Sequence, residues 1–464
     1  MRIAPVLLAF LFAGCAVGPD YKRPDPAPPA AFGESGPWKI AAPKDDLPRT
    51  GWWSIFRDPV LDGLEMRAQK ANFDLGAAMA RVDQARAVAR ISRADLFPAV
   101  ALQPFAARER FSGNRQVQPG ATHPAYTTDS IDVPLDLSYE IDLFGRARRA
   151  LEGARAAAEA EAAAYQGVLL SLQAEVAQDY FTIRALAAEH AFLARTVEGR
   201  RRELALVRTR RAGGASGDLD VFRAETELAS VESSALAVDQ RMAELRHALA
   251  VLVGSSPDEF PFDPAPLDSE PPAVPVGVPS ELLERRPDVA RAERTLASAN
   301  AQVGFAKAAF FPSIGLTAAA GFNSSALDTL LHWNSREGSL VPFATLPVFE
   351  GGGNLAGYQR SKAAYEEALA LYRQQVLAAF RDVEDGLSDL RYLSNQAAVV
   401  GEGVTASRKA AELSLFRYKQ GAADYFEVID AERTTLEYEI QATQLRGGRY
   451  AASIQLVKAL GGGW

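Results

Sequence analysis

Four histidines are the first place to look for chemistry in this chain of 464 residues: His123, His190, His247 and His332. No two sit at the spacing that brings a pair of imidazoles onto one metal. The only thiol is Cys15, so no intrachain disulfide can form. The HExxH, GxSxG and P-loop patterns are absent from the sequence. GGGNLA at 351–356 fits the G-x-G-x-x-A pattern whose glycines admit a dinucleotide pyrophosphate to a helix N-terminus. That site needs a short helix and another parallel strand, whereas here the helical pattern runs on for about 65 residues. The glycines therefore read as flexible backbone between a strand and a helix. His190 falls on a helical seam and reads as a packed or hydrogen-bonded residue. With no nucleophile, base or metal set, the residues point away from an enzyme. What remains is carboxylate: Asp132, Asp136, Glu140 and Asp142 at alternate positions, and Asp220, Glu427 and Asp430 just after two glycine turns.

The first four belong to IDVPLDLSYEIDLFG, 131–145. Ile131, Val133, Leu135, Leu137, Tyr139, Ile141 and Leu143 alternate with polar residues or Pro134, so the segment reads as a strand with one apolar and one acidic face. It satisfies the length of a membrane strand, about 9–11 residues, with lipid outside and an acidic lumen face. The alternation also fits a soluble sheet with one buried side. RARRALEGARAAAEAEAAAYQ follows and reads as helix; no Pro interrupts 146–211. Val176, Tyr180, Ile183, Ala187, His190, Ala194, Val197 and Leu204 mark an apolar seam. Such a helix would be about 100 Å long, which suits a chain reaching across an aqueous space. GRRRELALVRTRR, 199–211, reads as a solvated face near a helix C-terminus, where the macrodipole favours cations.

The pattern is written twice. ARAVARISRADLFPAV (85–100) matches ANAQVGFAKAAFFPSI (299–314), GASGDLDVFRAE (214–225) matches GAADYFEVIDAE (421–432), and LAVLVG (249–254) matches LVKALG (456–461). Each copy predicts a helix, two strands and a long helical hairpin turning at Gly214 or Gly421. The first copy is seven residues longer between its Phe-Pro pair and its turn; the polar loop Phe111 to Ser130 can absorb that difference. The expected organisation is a signal peptide at 1–14, an extended N-terminal segment at 15–57, a first repeat at 58–254, a Pro-rich linker at 255–280 and a second repeat at 281–461. Composition is ordinary for a folded protein: 48% hydrophobic and 23% charged. The net charge of −8 gives no basic face for nucleic acid. After the N-terminus no apolar run is long enough for a transmembrane helix. Four strands cannot close a barrel, and open edges are forbidden in lipid, so a membrane reading of the strands demands oligomers.

LFAGC at 11–15 resembles a bacterial lipobox, with Phe12 in place of the usual aliphatic residue. The resemblance implies acylation of Cys15, with three acyl chains and no other cofactor; Ala16 implies the outer membrane. VPSELLERRPDVARAERTLASANAQVGFAKAAFFPSIGLTAAAGF (278–322) resembles the signature of the TolC-like outer-membrane factors. CAVGPDYKRPD (15–25) and LFGRARRALEGARAA (143–157) resemble their NodT-type lipoprotein branch. The likeness spans essentially the whole mature chain. It implies a mainly α chain with membrane β: long antiparallel helices forming an α-barrel, and four strands per protomer in a homotrimeric 12-stranded barrel. It further implies a periplasmic adaptor protein and an inner-membrane pump, with this chain as their exit duct. By the same resemblance Asp220, Glu427 and Asp430 match acidic residues at the periplasmic gate. Glu427 departs from the family's usual Asp, and Ala423 from an Arg that forms a gating ionic link. Charge stabilisation at a helix N-terminus would equally explain the three carboxylates. The competing function is a lipid-anchored periplasmic coiled-coil adaptor or scaffold without a channel, but neither predicts two copies of a strand pair.

Overall fold

The computed structural model describes residues 16–25, 31–34, 39–40, 51–114, 116–118, 121–122, 124–276 and 285–462. Cys15, the expected signal segment 1–14 and His123 lie outside the described residues, as does much of the 15–57 segment.

Two helices begin the first repeat, α1 (Pro59–Ala71) and α2 (Phe73–Ala94). Asp58 starts α1 by accepting hydrogen bonds from the backbone N–H groups of Val60 (3.0 Å) and Leu61 (3.3 Å), and Pro59 supplies a φ already suited to a helix. Strands β1 (Ala99–Leu102), β2 (Phe105–Phe111) and β3 (Tyr126–Ile141) follow, then helices α3 (Arg146–Ala212) and α4 (Asp218–Leu252). The second copy runs α5 (Pro287–Ala308), β4 (Ser313–Ser324), β5 (Arg336–Thr345), α6 (Gly353–Lys419) and α7 (Tyr425–Ala459). Corresponding helices are equal in length: α2 and α5 have 22 residues, α3 and α6 have 67, α4 and α7 have 35. From α3 onward the copies keep one offset, 353 − 146 = 207 and 425 − 218 = 207. The extra residues of the first copy are not all in its polar loop. That loop ends before Tyr126, and β3 has 16 residues where β5 has 10.

The long helices end alike. Gly214 and Gly421 both adopt φ 74°, a left-handed conformation that costs glycine nothing. Each lets the next N–H reach back: Ala215 to the Arg210 carbonyl at 2.8 Å, Ala422 to the Arg417 carbonyl at 2.9 Å. These bonds satisfy last-turn carbonyls and reverse the chain.

Two compact units divide the chain, each drawing on both copies. One comprises 1–24, 82–160 and 292–372 and contains the sheet. Its order is β1 and β2 on one side of β3, then β4, then β5, all antiparallel. The copies therefore join through β3 and β4.

The other unit comprises 25–81, 161–291 and 373–464. Its core gathers Trp52, Leu61, Val176, Phe181, Ile183, Leu249, Leu387, Ile454 and Leu456. Phe56, Phe181 and Tyr450 form an aromatic run with centroids 4.8 and 4.3 Å apart. Two expectations change here. Trp52–Phe56 is already a helical turn with Trp52 buried, so the core begins before residue 58. The Pro-rich segment is extended, yet its Phe260, Phe262, Leu267 and Val274 are buried. Proline sets an extended backbone, but apolar side chains between prolines still gain stability by leaving water.

The seam of α3 also shifts. Val176, Tyr180, Ile183, Val197 and Leu204 are buried, but beyond Ala185 the stripe continues through Glu189, Leu193, Val197, Arg200, Leu204 and Val207. Ala194 is exposed, and His190 is half-exposed beside Asp239 at 3.2 Å. The step from 189 through 193 and 197 to 200 is an 11-residue repeat, which departs from the heptad expected for a left-handed supercoil.

Candidate functional site

Directly paired residues of an antiparallel sheet point to one side, so register carries the alternation of β3 across its neighbours. Leu137 pairs with Val100 and Ala318, and Ala318 with Leu340; Leu135 pairs with Leu102 and Ala320. One face is therefore apolar from edge to edge, although Val100, Leu102, Leu135 and Leu340 are exposed in the protomer. An apolar patch of this extent marks a surface meant for lipid or protein. Asp136 pairs with Ala101 and Ala319, Glu140 with Gly315, and Ala319 and Gly315 with Ser339 and Phe343. That other face carries the carboxylates among small residues, with the Phe343 ring lying over Gly315.

The four proposed lumen carboxylates separate into different environments. Asp132 is buried and closed off by hydrogen bonds from Ser130 Oγ (2.5 Å) and the Asn323 amide. Asp136 is half-buried on the polar face. Glu140 lies 3.5 Å from Arg146, and both line a recess of about 620 Å³ with Phe305, Thr317 and Phe343. Asp142 is a correction: β3 ends at Ile141, and the Asp142 carboxylate turns to the start of α3, accepting from Arg148 N at 2.9 Å and Arg148 Nε at 3.2 Å. The free N–H groups and positive end of the helix outcompete one more ladder position.

At the hairpin turns Asp220 accepts from Ser216 Oγ at 2.6 Å. Glu427 pairs with Arg417 at 3.1 Å, and its N–H donates to Asp424, the N-cap of α7. Asp430 is exposed one turn further on. Glu427 is thus not a bare acidic group, and the contacts of Asp220 and Glu427 are those of helix-end residues. Beneath them a core of Leu204, Val207, Val221, Tyr418, Tyr425 and Val428 joins the two hairpins. Burial pushes the Tyr425 phenol upward.

Charge pairs cross between the hairpins as well. Arg200 on α3, 3% exposed, meets Glu203 at 3.0 Å and Glu432 on α7. Arg433 on α7 pairs with the buried Glu227 on α4. Burial pushes the Glu203 carboxyl upward against the pull of Arg200. Apart from the buried Arg200, the arginine-rich stretch is a solvated face as expected, and it also forms exposed ion pairs: Arg201 reaches Glu232 at 2.8 Å, Arg208 reaches Glu225 at 2.7 Å, and Arg211 pairs with Asp218. Arg210 donates to the Tyr418 carbonyl at 3.2 Å. These partners were missed because they lie on other helices. Arg417 and Arg211 were within reach of sequence, ten residues from Glu427 and seven from Asp218 across the two tight turns. Among the described residues, no group of three or more His, Cys, Asp or Glu is placed to hold a metal, and no helix is long and apolar enough to cross a membrane.

Comparison with known proteins agrees with a helical chain carrying a two-faced sheet. The family model for outer membrane efflux proteins matches residues 65–255 and 278–462. The pyoverdine export outer membrane protein OpmQ of Pseudomonas putida is 35% identical over 442 residues, covering 94% of this chain and 92% of that one. The toluene efflux pump outer membrane protein TtgC of the same species is 33% identical, covering 98% and 94%. The solved outer-membrane channel OprN superposes with a TM-score of 0.90 at 33% identity, covering 97% of this chain and all of that one. The duplicated helices, the two-faced sheet and these matches lead to one conclusion: the chain belongs to the outer membrane efflux protein family and is an outer-membrane channel component of an efflux system, not an enzyme.

Proposed function

We propose that three copies of this chain close their sheets into a single barrel in the outer membrane and their long helices into a periplasmic duct. The observation that carries the reading is the sheet itself. Its outer strands, β5 on one side and β1 and β2 on the other, each pair on one edge only, while the face between them is apolar. Free N–H and C=O groups along an edge cannot stay unpaired in hydrocarbon, so each β5 edge needs the β1–β2 edge of another copy. The duct works with an inner-membrane pump and a periplasmic adaptor, both absent here, and opens at the end where Asp220, Glu427 and Asp430 follow the turns. Three acyl chains on Cys15 hold the N-terminus to the membrane, which LFAGC and the small Ala16 support. Two relatives of similar identity are named for pyoverdine export and toluene efflux, compounds with little in common. Substrate choice therefore rests with the pump rather than with this duct. Protein extracted from outer membranes should give a trimer mass in native mass spectrometry and conductance in planar bilayers. A monomer that conducts nothing sinks the reading.

A further inference from the structure

Residues Ala16–Tyr21 do not hang free. Val17 N–H donates to the Phe144 carbonyl at 3.0 Å, at the point where β3 gives way to α3. The Arg149 guanidinium, 5% exposed, ion-pairs with Asp20 at 2.8 Å and donates through Nε to the Val17 carbonyl at 3.3 Å. Asn300, also buried, donates to the Pro19 carbonyl at 2.9 Å. Tyr21 donates to the buried Glu293 at 2.5 Å. Two glycine contacts let the backbones approach. A Cβ on Gly18, whose φ is 108°, would come within 2.5 Å of Gly304 Cα; a Cβ on Gly145 would meet Ala16 at 2.6 Å.

The duplication provides an internal control. At the copies' offsets, the counterparts of Arg149, Glu293, Asn300 and Gly304 are Ala356, Met79, Arg86 and Arg90. The counterpart helices, α6 of the second copy and α2 of the first, thus match α3 and α5 in length but carry none of the groove's side-chain partners, and only Gly145 keeps its counterpart, Gly352. A role in holding the fold would be needed in both copies, whereas a role in holding the N-terminus is needed once per chain.

We propose that Gly145, Arg149, Glu293, Asn300 and Gly304 form a clamp for Ala16–Tyr21 that fixes the acylated N-terminus at the sheet-to-helix junction. The anchor role rests on acylation of Cys15 as proposed above; the clamp itself does not. Cys15 is one peptide bond from Ala16, so acyl chains on it start within a few ångströms of the lower end of β3, where the apolar face of the sheet stops. Lipid attachment and strand insertion then act at one depth, and a pull on the anchor is borne by α3 and α5 rather than by a loose tether.

Trypsin can test this on the intact protein in outer membranes, because Lys22 is exposed just beyond the clamped segment. Cleavage after Lys22 requires the neighbouring residues to leave the groove. The expected result is at least tenfold faster release of the 15–22 fragment from Gly18→Val and from Arg149→Gln than from the wild type. Gly18→Val alters only the strap, so the folded body is left intact; helical circular dichroism checks the same for Arg149→Gln. The mass of the released fragment reports acylation independently. Equal release rates from all three proteins, with acyl chains present, overturn the clamp. A wild-type fragment without acyl chains overturns the anchor role, whatever the rates.

Discussion

Glu65 offers the sharpest test of how this core is built. It sits on the buried stripe of α1 with Leu61, Leu64 and Ala68, is 0% exposed, and neither of its carboxyl oxygens has a hydrogen-bond partner among the described residues. Burial, with a smaller push from the Asp62 charge, raises its pKa from 4.5 to about 9. At pH 7 the folded chain holds this group neutral, while the unfolded chain ionises it. Keeping it protonated therefore costs about 3 kcal/mol at pH 7, from 1.36 kcal/mol per pH unit above 4.5. The sign follows: the folded pKa is raised, so stability is greatest below pH 4.5 and falls as pH rises toward about 9, where the loss levels off. Glu65→Leu removes both the titration and the unpaired oxygens, each worth roughly 1–3 kcal/mol when buried. The variant should be more stable at pH 7 by about 3 kcal/mol or more, and its advantage should shrink at pH 5. Glu65→Gln should flatten the pH dependence while leaving an unsatisfied amide, separating charge from packing. The assay is the denaturant midpoint of the helical signal in detergent at pH 5, 7 and 8.5, at one protein concentration because assembly contributes. Parallel pH dependence in wild type and Glu65→Leu would refute the argument, since the carboxylate would then be ionised and paired in the folded chain.

Three other perturbations are informative. Leu135→Arg places a charge on the apolar face and should cost about 2–4 kcal/mol near a bilayer midplane, whereas Asp136→Arg on the polar face should be tolerated; the yield of heat-modifiable assembled protein in outer membranes distinguishes them. Arg200→Leu strands the partly buried carboxylates of Glu203 and Glu432 and should destabilise by up to about 3 kcal/mol, much of it recovered in Arg200→Leu with Glu432→Leu, as a double-mutant cycle would measure. Glu427→Gln with Asp430→Asn should change stability by less than about 1 kcal/mol, because the Arg417–Glu427 pair is half-exposed, yet lower cation preference and divalent block in planar bilayers; unchanged selectivity would leave both as helix-end charges.

How much of this was legible in the sequence depends on whether a residue's partner is local. α3 and α6 were readable because nothing in either run breaks a helix, and Gly214 and Gly421 because a left-handed turn selects glycine. The apolar face of β3 was readable because alternation is a property of one strand. Its end was not. The alternation runs on through Leu143, and only the helix that follows shows Asp142 drawn to backbone N–H groups instead of a lumen. The same limit explains Arg200. In GRRRELALVRTRR it looks like its neighbours, yet the shift of the buried stripe to an 11-residue step turns this one arginine inward toward Glu432.

The strap carries that reasoning one step further. LFGRARRA contains four arginine or glycine positions that a pattern would treat alike as a helix start. The fold distinguishes them by what each one touches: Gly145 admits Ala16, Arg146 faces Glu140, Arg148 holds Asp142, and Arg149 takes Asp20 together with the Val17 carbonyl. Within five residues the chain joins a sheet to a helix, ends a strand and fastens its own N-terminus. Periodicity assigns each of these residues to an element, but the roles of Gly145 and Arg149 follow from contacts with a segment more than a hundred residues away. Duplication exposes the difference. Corresponding helices share their lengths to the residue, yet the groove forms only where α3 of the first copy and α5 of the second meet the N-terminus, so its specialised side chains are those where the copies disagree.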